Sequence, residues 1–164
     1  MKKILCIILA MLLLCACGAP AANEDPVETT TTVPTDPTYT FDAGFTVTLP
    51  EGFEEQESLL NDFFGTGDKG AYAIIANKDA KAEFESVEQF ANALATANEA
   101  DGAKQDAEGN YYITYLNTSN NHRFYTAIRE GETYIYRIAF YCPAENWSHY
   151  EALFTQWAST IVVE

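Results

Sequence analysis

The sequence predicts an α+β domain in which an antiparallel β-sheet is covered by helices. Gly44 to Leu49 sets Phe45, Val47 and Leu49 in alternation with threonines, the period of a strand with one buried face. Three more runs rich in β-branched and aromatic residues follow closely on one another, Tyr111 to Asn117, Arg123 to Arg129 and Thr133 to Cys142. Two segments instead repeat apolar residues at helical spacing: Val87, Phe90, Ala91, Leu94 and Ala97, then Trp147, Tyr150, Leu153, Phe154 and Trp157. Strands joined by short turns pair antiparallel, and helices with one apolar side bury it against a sheet.

Taken in order, the first strand ends at Pro50-Glu51-Gly52, a turn sequence. Ser58 to Phe64 reads as a short helix or a turn, and Ala71 to Ala76 as a second strand. Ser86-Val87-Glu88-Gln89 has the spacing of a capping box and opens the first helix. Asp101 to Asn110 is a polar loop. Glu130-Gly131-Glu132 is a hairpin turn between the last two long strands, and Pro143 stops the second of them. A second helix from Trp147 and a last short strand at Ile161-Val162-Val163 complete a single domain, residues 39–164, with no internal repeat.

The N-terminal residues have a different character. Met1-Lys2-Lys3 precedes an apolar stretch from Ile4 to Leu14, the layout of a secretory signal peptide. That stretch is well short of the roughly 20 residues needed to span a bilayer as a helix. Leu14-Cys15-Ala16-Cys17-Gly18 resembles the lipobox of bacterial lipoproteins, with Leu three places and a small residue one place before the modified Cys. The resemblance implies cleavage after residue 16, a diacylglyceryl group on the Cys17 thiol, and a chain held on the extracytoplasmic face of the cell membrane. The lipid bilayer is then its first partner. Cys15 lacks the match because the large Leu14 precedes it. The plainer alternative is a general signal peptide cut near Ala19 to Ala22, which releases a soluble protein.

Residues 17–38 form the lipidated Cys and a tether. Gly18 to Thr38 carries four of the chain's six prolines and a run of threonines, and has no aromatic residue, so it cannot bury enough surface to offset its ordering entropy. In polyproline form it spans at most roughly 65 Å, at about 3.1 Å per residue.

Formal net charge is −15, and loss of Lys2 and Lys3 with a leader would make it more negative. Nucleic acid and anionic headgroups are poor partners for such a surface. With Cys6 and Cys15 in the leader and Cys17 lipidated, Cys142 is the one cysteine left in the domain, so no disulfide forms within it. Its place after the apolar run Ile138 to Tyr141 marks it as a buried, inert thiol.

Gly44-Phe45-Thr46-Val47-Thr48-Leu49-Pro50-Glu51-Gly52-Phe53 resembles the opening strand and turn of PsbP-like domains. The long strand, the Trp- and Phe-bearing helix from Trp147 to Trp157 and the terminal strand agree with that order. The resemblance implies a PsbP-like α+β fold and a role in binding or assembly rather than catalysis. It carries over no functional residue.

No motif assigns a reaction. Gly65-Thr66-Gly67-Asp68-Lys69-Gly70 has the letters of a phosphate-binding glycine loop, yet a strand follows it where a helix N-terminus should stand, so it reads as a turn. Glu99, Asp101, Asp106 and Glu108 offer oxygen ligands without the spacing of a calcium loop. His122 and His149 share no metal spacing with each other or with Cys142, and no G-x-S-x-G occurs. Neither metal, cofactor nor catalytic residue is expected.

The remaining candidate is a ligand face on the far side of the C-terminal sheet. Alternation puts Arg123, Tyr125 and Arg129 on one face of their strand and Arg137 and Tyr141 on one face of the next. Arg beside Tyr could hold an anionic or sugar-like ligand, or could equally be a half-covered sheet on which Arg stems pack against rings. The leading expectation is a non-catalytic module that binds an envelope protein or a small ligand. The alternatives are an envelope enzyme such as a hydrolase with no recognisable motif, or a structural spacer. A deep cleft setting His122 or His149 beside acids favours the enzyme; an open aromatic face favours the binder.

Overall fold

The computed structural model describes residues 36–164, which form one compact unit. The signal peptide, Cys17 and most of the tether lie outside the described residues. Strands β1 (Thr38–Phe41), β2 (Phe45–Thr48), β3 (Glu54–Glu55), β4 (Phe63–Gly67) and β5 (Tyr72–Ala80) lead to helix α1 (Val87–Ala97). Then follow β6 (Lys104–Gln105), β7 (Tyr111–Asn117), β8 (His122–Glu130), β9 (Tyr134–Pro143), α2 (Trp147–Ser159) and β10 (Val162–Val163). The expected α+β class, antiparallel sheet with helices on it, is what the chain forms.

Two sheets result, one of three strands in the order β1-β2-β10 and one of seven in the order β3-β4-β5-β9-β8-β7-β6. All the pairings are antiparallel. Thr38, read as the end of the tether, opens β1 and pairs with Thr48. Its partnership follows from β2, whose outer edge offers a row of backbone groups that β1 satisfies.

The main core lies between one face of the seven-stranded sheet and a layer made of the small sheet and α2. Phe45, Val47 and Leu49 meet Ile74, Ile138, Phe140 and Cys142 there, with Phe154 and Trp157 of α2 closing the side. Burying each such large side chain contributes roughly 1.5–3 kcal/mol. The helical stripe seen in the sequence is the buried face of α2, whose Tyr150, Phe154, Trp157 and Ala158 are all buried.

α1 lies on the opposite face of the large sheet, where Phe90 and Ala91 pack on Ile128 and Ile135 in a second, smaller core. Ser86 caps it, its hydroxyl accepting from the Gln89 N–H at 3.1 Å. Gln89 reaches back, accepting from the Glu85 N–H at 2.9 Å, one residue before the cap itself. This side-chain cap contributes about 1 kcal/mol.

The Gly65 to Gly70 segment is a strand followed by a short 3-10 turn, with β5 directly after it. The glycines have a packing reason. The Phe53 ring crosses Gly65 and the Tyr72 ring crosses Gly67, each occupying the space a Cβ would need. Among the described residues no helix is long and apolar enough to cross a membrane.

Candidate binding face

Residues paired across an antiparallel sheet point to the same face. In the β8–β9 register Arg123 pairs with Cys142, Tyr125 with Phe140 and Arg129 with Tyr136, whereas Phe124 pairs with Tyr141 and Ile128 with Arg137. Arg123, Tyr125 and Arg129 therefore belong to the α2 side, and Arg137 and Tyr141 to the α1 side. The single face expected from the sequence is divided between two. Alternation orders the residues within each strand, but only the register relates one strand to the next.

Two of the three on the α2 side, Tyr125 and Arg129, are buried in the structure. Tyr125 is buried, stacked on Tyr112 with centroids 5.0 Å apart, and burial pushes its phenol up to about 12. Arg129 is buried and donates from its guanidinium to the Ala158 carbonyl at 2.8 Å, with Asp106 at 3.4 Å. Burial lowers its guanidinium pKa and the Asp106 carboxylate opposes that shift. Arg123 stands exposed at the sheet end, its guanidinium 5.7 Å from the centre of the Trp147 ring.

The α1 side is only half covered. α1 occupies the part around Ile128 and Ile135. Beyond it, Tyr115, Phe124 and Tyr141 are adjacent in register across β7, β8 and β9. Their rings stack in a ladder, with centroids 4.9 Å and 4.8 Å apart and planes 4° and 20° from parallel. The His122 ring meets the edge of Tyr141 at 5.6 Å. Next to the ladder in register stand Phe64 and Ile75, both partly exposed.

Arg137 lies between the ladder and α1. Its Nε is 2.8 Å from Asp79 Oδ2, an ion pair without the alignment of a hydrogen bond. Burial raises the Tyr115 phenol pKa, opposed by the Thr126 hydroxyl bond and by the Arg137 charge; burial alone raises that of Tyr141. Both phenols stay protonated at neutral pH and can donate hydrogen bonds. Because Asp79 already neutralises Arg137, that guanidinium is not free for an anionic ligand.

The turn at Ser58 to Asp62 borders the open half. The Ser58 hydroxyl accepts from the N–H groups of Leu60 at 3.3 Å and Asn61 at 3.0 Å. Asn77 donates to the Asn61 side chain at 3.1 Å, and Asp62 accepts from the Lys78 N–H at 2.8 Å. These bonds fix the turn to β5 and leave its two apolar side chains outside, Leu59 101% and Leu60 92% exposed. A groove of about 570 Å³ runs between the leucines and Tyr141, floored by Phe64 and Ile75.

The other candidate ligand residues of the chain have partners within the fold. Asp106 accepts from the N–H groups of Glu108 and Asn110, making a turn rather than a cation site. His122 Nδ1 bonds the Asn120 carbonyl at 2.8 Å, and His149 packs edge-on to Tyr150. Cys142 is fully buried, with its thiol pushed up to about 11 by burial. Among the described residues, no three His, Cys, Asp or Glu side chains are grouped to hold a metal.

Sequence reasoning missed Tyr115, Phe124, Phe64 and both leucines. The available signal was Leu59-Leu60 in the polar stretch from Glu54 to Asp62, an apolar pair with no periodic partner.

No protein-family model matches the chain, and no curated protein matches it. Among solved structures, the solution structure of cyanobacterial PsbP (CyanoP) from Synechocystis sp. PCC 6803 superimposes with a TM-score of 0.54 at 12% identity. The match covers 85% of this chain and 100% of that one. The fold is PsbP-like. At that identity the likeness is one of architecture, and no residue of the open face of this PsbP-like domain is assigned by it.

Proposed function

We propose that the chain is a lipoprotein, anchored through a diacylglyceryl group on Cys17 to the extracytoplasmic face of the cell membrane, whose PsbP-like domain binds a partner without catalysing a reaction. The observation that carries the binding role is the open half of the large sheet, where Tyr141, half-exposed at the end of a ladder whose middle ring Phe124 is buried, adjoins Leu59 and Leu60 along a groove floored by the partly exposed Phe64 and Ile75. Two adjacent leucines held in water by a hydrogen-bonded turn are costly in isolation, and contiguous exposed apolar surface of this kind marks interaction sites. The lipobox resemblance at Leu14 to Gly18 supports the anchor. The tether would lift the domain clear of the headgroups.

Metabolic labelling with a clickable fatty acid in a bacterial host tests the anchor: wild type should carry label and Cys17→Ser should not. Label retained by Cys17→Ser would overturn it. For the binding role, photo-cross-linking residues placed at Leu60 and at Gln156, on the exposed side of α2, should give a discrete adduct from Leu60 alone. Adducts from Gln156 and none from Leu60 would overturn this assignment.

A further inference from the structure

We infer that the open half of the sheet face docks a basic amphipathic helix from another protein. The inference rests on the proposed binding role and names the chemistry of the partner.

The charge around the face selects the sign. Arg137 is matched by Asp79. Around the face lie exposed Glu54 and Asp62 on β3 and the 58–62 turn, Glu57 at the groove and Glu99 beyond the end of α1, beside the hollow that Tyr115 lines. These are four acids against one exposed cation, Lys69, which shares a hollow with Glu54. Lys2 and Lys3 apart, every Lys and Arg of the chain falls in residues 36–164, but so does every Asp and Glu except Glu24, Asp25 and Glu28. A second copy of this chain would bring the same acidic rim, and the tether, itself acidic and without aromatic residues, offers no anchor. An anionic lipid surface is opposed for the same reason. A cationic partner meets the rim favourably, and its Lys or Arg side chains can also lie against the Tyr and Phe rings.

The shape selects a helix. The same sheet face is already covered at its other half by α1, which sets Phe90 and Ala91 onto Ile128 and Ile135. The groove beside it is an apolar floor with a leucine wall, the arrangement that receives the apolar stripe of an amphipathic helix. Leu59 and Leu60 supply the anchors.

The test uses the full lipidated chain in phosphatidylcholine nanodiscs and two labelled helical peptides with the same leucine positions, one with lysine and one with glutamate at its polar positions. Fluorescence anisotropy, corrected with empty discs, should show the lysine peptide binding and the glutamate peptide not. Affinity should fall about tenfold or more in Leu59→Ser/Leu60→Ser and in Tyr141→Ser, the size of effect expected for buried anchors. Equal binding of the lysine peptide to wild type and both variants would overturn the proposal, since it would report only an acidic surface. No binding of either peptide would also overturn it. Protection of residues 57–62 from hydrogen exchange by the bilayer before peptide is added would assign the leucines to lipid instead, and overturn it too. A discrete Leu60 cross-link in cells to a partner lacking a basic helix would sink this inference alone, whereas absence of any Leu60 cross-link would sink the binding role beneath it.

Discussion

The guanidinium of Arg129 on β8 donates to the main-chain carbonyl of Ala158 in the last turn of α2, at 2.8 Å. It adds a side-chain donor to a carbonyl that already accepts from the Ile161 N–H at 3.3 Å, and places a positive charge at the negative end of the helix dipole. Asp106, 3.4 Å away, ties the β6–β7 loop to the same group. Arg129→Ala would leave Asp106 and the Ala158 carbonyl without this donor, and should lower stability by about 3 kcal/mol in urea titrations. A loss under about 1 kcal/mol would mean that the pair behaves as a surface ion pair.

Gly67→Ala and Gly65→Ala should each destabilise by about 1–3 kcal/mol, the cost of overpacking, because the Tyr72 and Phe53 rings fill the space their Cβ atoms need. Denaturant midpoints measure this. Unchanged midpoints would show that the rings move aside freely and that the glycines have another purpose.

Alkaline pH should unfold the domain in a defined window. Cys142 is raised from 9.0 to about 11, and Tyr125 and Tyr150 from 10.0 to about 12, each chiefly by burial. Tyr72 is raised further by the same cause. The fold favours the neutral forms, so the stabilisation is fully present below the unfolded values and is lost as pH climbs through the folded ones. Urea midpoints should hold level up to about pH 9 with respect to these groups, then fall toward pH 12. Cys142→Ala should remove the earliest part of that fall; an identical profile would show that the thiol contributes nothing.

Leu59→Ser/Leu60→Ser should leave stability within about 0.5 kcal/mol of wild type, since neither side chain is buried by the fold. Leu49→Ala, in the main core, should cost about 2–5 kcal/mol. A large loss from the surface pair would mean that those leucines serve folding rather than recognition.

The contrast between those two sites also explains what could be read from the sequence. The Phe45-Val47-Leu49 alternation and the Trp147 to Trp157 stripe are local periodicities, and both became the buried faces expected of them. Strands of two residues such as β3 and β6 carry no period at all, so only their partners reveal them. The candidate site depended on register. Tyr125 and Tyr141 look alike in isolation, yet pairing with Phe140 turns one inward and pairing with Phe124 turns the other outward. The open half of the face arises from where α1 stops, a tertiary fact that alternation cannot encode.

The central claim is that the open face is where this protein meets its partner. Cross-linking in living cells from Leu60, with and without Tyr141→Ser, tests it most directly. The account predicts one discrete adduct from Leu60 that disappears when Tyr141 is replaced while the protein stays folded. An adduct that persists unchanged without the Tyr141 ring, or one that forms only from α2 at Gln156, would contradict it.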